Sequence, residues 1–312
     1  DVNEINNLDG DFSFDVGLIE ELKALIKHNR AISLGFYYDD KKKLRLNTNK
    51  CVNHLKKLME CTVYDNELMV LNRKEGIYIK LTEELLGIIL RHLMNHTIAD
   101  SWRKVYEREI FDGLFREVSR IESSKVDDSL VPLNNGIFNF KTNELIPYDG
   151  SLFFTRKLSV DYKPEDECPK FLNALEEIFC GDYELLKCIQ EIFGYVLINN
   201  VKAEKIFYFT GVGSNGKSFL ADTLIKMVGE KNVSNIALWK LADKFGLSGI
   251  INKILNIANE NEFGNALATE NLKALGIEDR ISISRKYKCD LEYTSTCKMI
   301  FLMNTLPDTL DN

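Results

Sequence analysis

The residues with the clearest chemical potential form one glycine-rich run, Gly211-Val212-Gly213-Ser214-Asn215-Gly216-Lys217-Ser218. This run fits the phosphate-loop pattern G-x-x-x-x-G-K-[ST]. Glycines let the backbone approach a ligand closely, so successive N–H groups can point at phosphate oxygens, and a helix beginning there adds its positive dipole end. We expect Lys217 to contact the β- and γ-phosphates and the Ser218 hydroxyl to ligate Mg²⁺. Asn215 is a residue that tolerates left-handed backbone.

Two polar sites follow apolar runs further along the chain. Ile254–Ala258 leads into Asn259-Glu260-Asn261-Glu262, and Lys298–Met303 leads into Asn304. A carboxylate at the carboxyl end of a strand beside a phosphate loop can hold the Mg²⁺ shell or activate water, and Glu260 comes first after its run. Asn304 can reach the γ-phosphate or hold the attacking water. A solvated acidic loop and an ordinary Asn-x-x-Pro turn remain the alternatives.

The elements that must position these residues are indicated by the pattern around them. The β-rich run Ile206–Thr210 enters the loop, and Phe219–Met227 leaves it with helical spacing. From Lys205 onward, short β runs alternate with helical segments, which predicts an α/β domain with a largely parallel sheet. No base-reading N-K-x-D run occurs, which argues against a GTPase, whereas a small-molecule kinase stays open.

The first two thirds of the chain read as a mixture of helices and short strands. The sequence predicts a β meander over 61–81 and a hairpin around Lys141-Thr142-Asn143. Thr82 and Asp182 are expected helix N-caps. Helices are predicted at 17–30, after Thr82, and at 98–122, 169–180 and 183–198.

Composition restricts the class of protein. With 40 basic and 47 acidic residues the net charge is −7, which excludes a wholly basic nucleic-acid binder. No apolar run approaches the roughly 18 residues that span a bilayer, so no membrane partner is expected. The seven cysteines form no C-x-x-C pair, and neither a zinc ribbon nor a disulfide framework is indicated. The chain starts at Asp1 without a secretory signal, and we expect it to be a piece of a longer cytoplasmic protein.

Three runs, GVGSNGKS, ILNIANE and KMIFLMNTLP, resemble motifs A, B and C of superfamily 3 helicases. Together with VPLNNGIFNFKTNEL and QEIFGYVL upstream, they resemble most closely the phage, plasmid and poxvirus primase–helicase family, over about 131–312. The resemblance implies an AAA+-like core that uses ATP and Mg²⁺ at the subunit interfaces of a homo-oligomeric, hexameric ring. It also implies a replicative helicase of a virus or mobile element that acts on single-stranded DNA in the bacterial host cytoplasm, with a primase module or replication proteins as partners.

The family's roles carry over to matching positions. Lys217 and Ser218 take the motif A roles, Glu260 the motif B acid and Asn304 the motif C sensor. Asn259 stands where many members have a second acid, so the division of labour between Glu260 and Glu262 stays open.

The family also has a DNA-gripping hairpin between motifs B and C, which falls here at 280–298. Its expected turn, Arg285-Lys286-Tyr287-Lys288, combines three cations with one aromatic ring, a composition suited to phosphates and bases. Asp290 and Glu292 lie close by, and a solvated charged face is the alternative.

The predicted fold class is an α/β P-loop NTPase core, AAA+-like and truncated at its C-terminus, preceded by a mostly helical α+β region. The expected segments are a mostly helical 1–130 with the meander, a family-specific 131–198 with a hairpin and two helices, and an incomplete ATPase core at 199–312. The family's interface arginine would lie beyond Asn312, so we expect weak nucleotide binding and little helicase activity from these residues.

Two other functions stay open: a nucleotide-regulated DNA-binding or scaffold ATPase without unwinding, and a small-molecule P-loop kinase. His92 and His96 have a zinc-compatible spacing but no acid between them, and we expect ordinary helix histidines. The basic run Lys41–Arg45 is expected to be an exposed loop, and contact with DNA or a partner is the alternative.

Overall fold

The computed structural model of the chain describes residues 31–121, 127–150, 152–259, 269–277, 279–286 and 289–305. The helix predicted over 17–30 lies outside these residues. The chain forms two compact units, the first from residues 1–126 and 149–155 and the second from 127–148 and 156–312.

The described part of the first unit contains six strands and three helices. In chain order these are β1 (Phe36–Tyr38), β2 (Leu44–Leu46), α1 (Thr48–Leu58), β3 (Cys61–Tyr64), β4 (Glu67–Asn72), β5 (Ile77–Lys80), α2 (Glu83–Thr97), α3 (Lys104–Glu117) and β6 (Ser119–Ile121). Strands β1 and β2 pair with each other, whereas β3 to β6 form a four-stranded sheet in the order β5-β4-β3-β6.

The predicted meander is confirmed, because β3, β4 and β5 pair antiparallel in succession. The helix predicted over 98–122 is wrong at both ends. It covers only Lys104–Glu117, and Ser119–Ile121 instead runs parallel to β3. The Thr62 hydroxyl donates to the carbonyl of Ser119 at 2.9 Å, so pairing with a distant strand overrides the local helical pattern.

The core of the first unit is built by its helices. Thr82 caps α2 as predicted, since its hydroxyl accepts a hydrogen bond from the Leu85 amide at 3.1 Å. Buried helix side chains then share one hydrophobic cluster with Val70 of the sheet: Leu55, Leu86, Leu90, Leu93, Ile110 and Leu114. Burying each such side chain stabilises the fold by about 1.5–3 kcal/mol relative to leaving it exposed.

The described part of the second unit contains nine strands and four helices. In chain order these are β7 (Leu130–Leu133), β8 (Gly136–Asn139), β9 (Glu144–Ile146), α4 (Pro169–Ile178), α5 (Tyr183–Leu197), β10 (Ile206–Thr210), α6 (Lys217–Val228), β11 (Val233–Ser234), β12 (Leu255–Asn259), α7 (Thr269–Gly276), β13 (Arg280–Ile283), β14 (Leu291–Thr294) and β15 (Lys298–Met303). Short 3₁₀ turns lie between β11 and β12.

The segment before the nucleotide motifs matches its prediction in outline. Strands β8 and β9 form the hairpin around residues 141–143, and β7 adds a third strand that the sequence pattern did not indicate. The Asp182 carboxylate accepts from the amides of Glu184 and Leu185, so it caps α5 as expected.

A four-stranded sheet with the order β10-β15-β12-β11 lies at the centre of the second unit. All its pairings are parallel, as the alternation of β runs and helices predicted. Alternate residues of β15 enter different hydrophobic clusters: Ile300 and Leu302 pack with the helices α5 and α6, whereas Met299 and Phe301 pack with the 3₁₀ turns and α7. Both faces of the sheet are therefore covered, as is usual for parallel sheets.

Packing divides the chain differently from the expected segments 1–130, 131–198 and 199–312. Val131 and Phe138 share one hydrophobic cluster with α4, α5 and the parallel sheet, so 131–148 and the two helices belong to the same unit as the sheet. The short stretch 149–155 instead joins the first unit, where the Tyr78 amide donates to the carbonyl of Phe154. Such contacts join residues far apart in sequence, which a local composition change does not reveal.

Candidate functional site

The glycine-rich loop lies between strand β10, which ends at Thr210, and helix α6, which begins at Lys217. Its backbone enters the left-handed region at Gly211 (φ 149°), Ser214 (φ 59°) and Gly216 (φ 85°). Asn215, a residue type that tolerates left-handed backbone, does not adopt it here, whereas its neighbour Ser214 does. Both glycines stand where a side chain would be strained, which explains their residue type.

The Lys217 side chain folds back over the loop. Its ammonium donates hydrogen bonds to the carbonyl of Gly211, to the carbonyl of Val212 at 3.2 Å and to the Asn215 side-chain oxygen at 2.9 Å. Among the described residues, no carboxylate forms an ion pair with this ammonium. Among the described residues, only backbone carbonyls and the Asn215 amide oxygen compensate the positive charge of Lys217, and this setting favours an incoming anion.

The loop's backbone donors complete this arrangement. Within the part of the chain that the structure describes, the amides of residues 212–216 donate no hydrogen bond. They precede the first turn of α6, where the helix dipole carries a partial positive charge. Consecutive free amides at a helix N-terminus, beside a lysine, provide the donor set that a phosphate chain requires. The exposed Ser218 hydroxyl is the metal-ligand candidate that this arrangement supplies.

Helix α4 flanks the loop, a contact that sequence reasoning missed. An added Cβ on Gly216 would lie 2.6 Å from Ile178 side-chain atoms, so the last residue of α4 packs directly on the loop. Phe219, in the first turn of α6, remains 40% exposed, and its ring centroid lies 5.9 Å from that of Phe171. An apolar surface therefore borders the candidate phosphate site.

The strand ends place Asn304 close to the loop strand. Thr210 pairs with Met303 in the ladder of β10 and β15, so Asn304 follows directly where the loop begins, and it is exposed. The strand preceding the acidic run was expected beside the loop, but β15 lies between β12 and β10. Two strand spacings, about 9.6 Å, therefore separate β12 from the loop strand. Glu260 and Glu262 lie outside the described residues, which end here at Asn259.

The predicted DNA-gripping segment contains an antiparallel hairpin of β13 and β14. Arg285 folds back to donate two hydrogen bonds to the carbonyl of Cys289, at 3.0 and 3.2 Å. The Lys286 ammonium lies 5.9 Å from the ring centroid of Phe245, which is 38% exposed, and Lys244 lies 5.7 Å from the same centroid. Sequence reasoning missed Phe245 and Lys244, since they precede the hairpin by some 40 residues.

The other two residues predicted at that turn, Tyr287 and Lys288, lie outside the described residues.

A second group of cations lies at the opposite end of the parallel sheet, where β15 begins. Lys298 is fully buried and donates to the carbonyls of Ile198 and Thr296. The Arg156 guanidinium donates to the Asn199 side chain at 2.7 Å and to the Thr296 hydroxyl at 2.9 Å. These bonds hold the segment before β10 against the sheet, so we assign them a structural role.

The two histidines at helical spacing, His92 and His96, stack with ring centroids 5.8 Å apart. No group of three or more metal-binding side chains occurs within the described ranges. A search of those ranges also finds no helix long and apolar enough to cross a membrane.

Comparison with known proteins gives two family matches. Residues 44–180 match the model described as D5 N terminal like, and residues 209–312 match a family of unknown function, DUF5906. Neither match reaches half of the chain.

Solved structures of the NrS-1 C terminal region share the fold. One apo form is 18% identical over 81% of this chain, with a TM-score of 0.52, and another is 19% identical over 80%, with a TM-score of 0.50. This chain spans about half of those solved chains (55%). The chain is thus similar to the D5 N terminal like family over 44–180, and it shares its fold with the NrS-1 C terminal region.

Proposed function

We propose that the second unit is the ATP-binding core of a replicative DNA helicase of superfamily 3, from a phage or another mobile element. The observation that carries this proposal is the loop itself, at the carboxyl edge of a parallel sheet. Within the described residues, its amides have no protein partner and its lysine forms no ion pair with a carboxylate. In a cell the protein would act in the bacterial host cytoplasm, as a homo-oligomeric ring on single-stranded DNA.

In this proposal the triphosphate replaces the loop's own oxygens as the partner of Lys217. The ammonium leaves the carbonyls of Gly211 and Val212 and contacts phosphate oxygens, while the amides of 212–216 hold the rest of the phosphate chain. Mg²⁺, when bound, neutralises phosphate charge, and the exposed Ser218 hydroxyl together with the acid at Glu260 would hold it.

Asn304 supplies a polar group at the end of β15, the strand that pairs with the loop strand. Its position after Met303, level with the start of the loop, supports a role in holding a water or a γ-phosphate oxygen. The exposed ring of Phe219 supports the nucleoside as an apolar surface beside the phosphates.

The proposed DNA surface consists of the β13–β14 hairpin and the ring of Phe245. Two ammonium groups, from Lys244 and Lys286, lie within 6 Å of the centroid of this partly exposed ring. Cations beside an aromatic face suit phosphates and stacked bases of single-stranded DNA. Tyr287 and Lys288 extend the same stretch of sequence.

The decisive experiment compares Lys217→Ala with Lys226→Ala, an exposed lysine in the last turn of the same helix. We expect Lys217→Ala to weaken binding of a fluorescent ATP analogue with Mg²⁺ by about 10- to 150-fold, as for loss of a charged hydrogen bond worth about 1.5–3 kcal/mol. Lys226→Ala should bind as wild type does. Equal affinities for the two variants would refute the assignment of the loop.

A second measurement separates a helicase from other ATP-binding proteins. In the full-length protein, which would include the interface arginine, single-stranded DNA should stimulate ATP hydrolysis, and Phe245→Ala should reduce this stimulation while leaving the affinity for the ATP analogue unchanged. Nucleotide binding without any response to DNA would contradict the helicase proposal but not the phosphate loop.

A further inference from the structure

The first unit carries an exposed hairpin made of β1, β2 and the turn between them, residues 36–46, here called the basic hairpin. Its strands pair antiparallel, with Tyr37 opposite Arg45 and Tyr38 opposite Leu44. Six of its large polar or aromatic side chains are exposed: Tyr37, Tyr38, Lys41, Lys42, Lys43 and Arg45. This is far more structured than the plain exposed loop that the sequence suggested.

The turn of the basic hairpin is organised by one carboxylate. Asp39 accepts hydrogen bonds from the amides of Lys41 and Lys43, at 3.0 and 2.8 Å, and from the Arg45 side chain at 3.0 Å. These donors lower the pKa of Asp39 below its ordinary value, with the Lys43 amide as the largest cause. The backbone that carries the lysines is therefore fixed before any ligand arrives.

The charges of the basic hairpin are unbalanced. Arg45 pairs with Asp39, which leaves three lysines, at 41, 42 and 43, beside the single carboxylate of Asp40. No ion pair between these lysines and another described residue occurs. A local positive surface thus stands on a chain whose net charge is −7.

Two aromatic rings accompany these charges. Tyr37 is 51% exposed and Tyr38 is 69% exposed, and as strand neighbours they point to opposite faces of the ribbon. The preceding residue, Phe36, is buried in the core of the unit and anchors the strand. The rings are thus held in place while most of their surface faces solvent.

We propose that the basic hairpin binds single-stranded nucleic acid, with its lysines on the phosphates and its tyrosines stacked on unpaired bases. Every base has a π-face, so aromatic rings next to cations bind single strands with little sequence preference. A duplex would offer the lysines phosphates but would keep its bases out of reach of the rings. This site lies in the first unit, whereas the surface proposed around Phe245 lies in the second, and it does not depend on nucleotide binding.

The test uses the whole chain carrying Phe245→Ala and Lys286→Gln, which weakens the other proposed DNA surface by removing its aromatic ring and one of its cations. The probes are fluorescent oligothymidylate and oligouridylate of about 20 nucleotides, longer than the site of a typical single-strand-binding module. A third probe is an abasic strand of the same length, which keeps the phosphates and lacks the bases. In this background we expect measurable binding of at least one of the two base-containing strands.

Charge removal is tested with Lys41→Gln/Lys43→Gln against Lys57→Gln/Lys74→Gln, two exposed lysines of the same unit outside the hairpin. The first pair should lower the slope of log affinity against log salt by about 1.4, or 0.7 for each lost phosphate contact. The control pair should leave both slope and affinity unchanged.

Base stacking is tested with Tyr38→Ala and Tyr38→Phe. The alanine variant should bind the base-containing strand about tenfold more weakly and the abasic strand unchanged, whereas the phenylalanine variant keeps the ring and should bind as wild type. The proposal is overturned if neither base-containing strand binds, or if the two lysine pairs behave alike. It is also overturned if Tyr38→Ala lowers the affinity for the abasic strand as much as the affinity for the base-containing strand. That result would indicate a surface that binds any polyanion.

Because a variant could misfold, hydrogen exchange is also measured on the protein with an unsubstituted basic hairpin. Hydrogen exchange at the amides of residues 36–46 should slow when the oligonucleotide is added. Unchanged exchange there would overturn the proposal.

Discussion

Replacing Gly216 with alanine perturbs the loop at the point where helix α4 touches it. The residue has a φ of 85°, and left-handed backbone costs an L-residue about 1–2 kcal/mol. The new Cβ would also lie 2.6 Å from two Ile178 carbons, and overpacking of this kind costs about 1–3 kcal/mol. Because Ile178 is β-branched and a third atom lies at 3.0 Å, its side chain must move as a whole. The sum predicts a loss of about 2–5 kcal/mol in the free energy of unfolding.

The two contributions separate in a double-mutant cycle measured by urea unfolding. In an Ile178→Ala background the overlap disappears, so Gly216→Ala should then cost only the backbone part, about 1–2 kcal/mol. The matched control is Gly213→Ala in the same loop, where an added Cβ meets nothing within 4 Å. That control should change the free energy of unfolding by less than about 0.5 kcal/mol.

If Gly216→Ala lowers the free energy of unfolding by the same amount in both backgrounds, the contact between Ile178 and the loop is refuted. If Gly213→Ala is as costly as Gly216→Ala, the prediction is also refuted, since the loop would then resist any added carbon irrespective of backbone angle and neighbours.

Two further predictions concern buried polar groups of the chain. Asn256→Ala should lower the free energy of unfolding by about 2–3 kcal/mol, because the fully buried side chain bonds both the amide and the carbonyl of Ile236, at 2.8 and 3.0 Å. The exposed Asn259→Ala is the control, and equal urea midpoints for the two variants would contradict this. Burial raises the pKa of the Cys51 and Cys297 thiols to about 12, so at pH 8 Ellman's reagent should modify them only after unfolding. The four exposed thiols should react at once in the native protein, and immediate reaction of all seven would refute the packing described.

The features that could be predicted from sequence are those that neighbouring residues determine. Asp182 and Thr82 cap helices because their side chains reach amides two or three residues away. The loop lies between a strand and a helix, and three local signals predict this order. Aromatic and β-branched residues precede the loop, its glycines and lysine have the phosphate-loop spacing, and helical periodicity follows it. Local agreement of this kind is why the parallel sheet and the phosphate-loop candidate were recognisable in advance.

The features that escaped prediction depend on contacts between distant segments. Ser119–Ile121 became a strand because β3 lies beside it, and Ile178 reached Gly216 because α4 packs on the sheet's helices. The order of the parallel strands could not be predicted from the sequence either, because each strand is apolar and its own residues do not determine which strand pairs with it. Lys298 was also not predictable as a buried residue. Nothing in the sequence of its strand indicates that backbone carbonyls accept its hydrogen bonds in the interior.

The central place of β15 determines how motion can pass across the sheet. This strand pairs with β10 along five residues on one side and with β12 along five on the other. Sliding it along its axis would break both ladders together, and its buried first residue is fastened to carbonyls at the far end. The register of β15 is therefore fixed on both sides and at its first residue. A displacement of β12 along β10 would have to break the ladder on one side of β15.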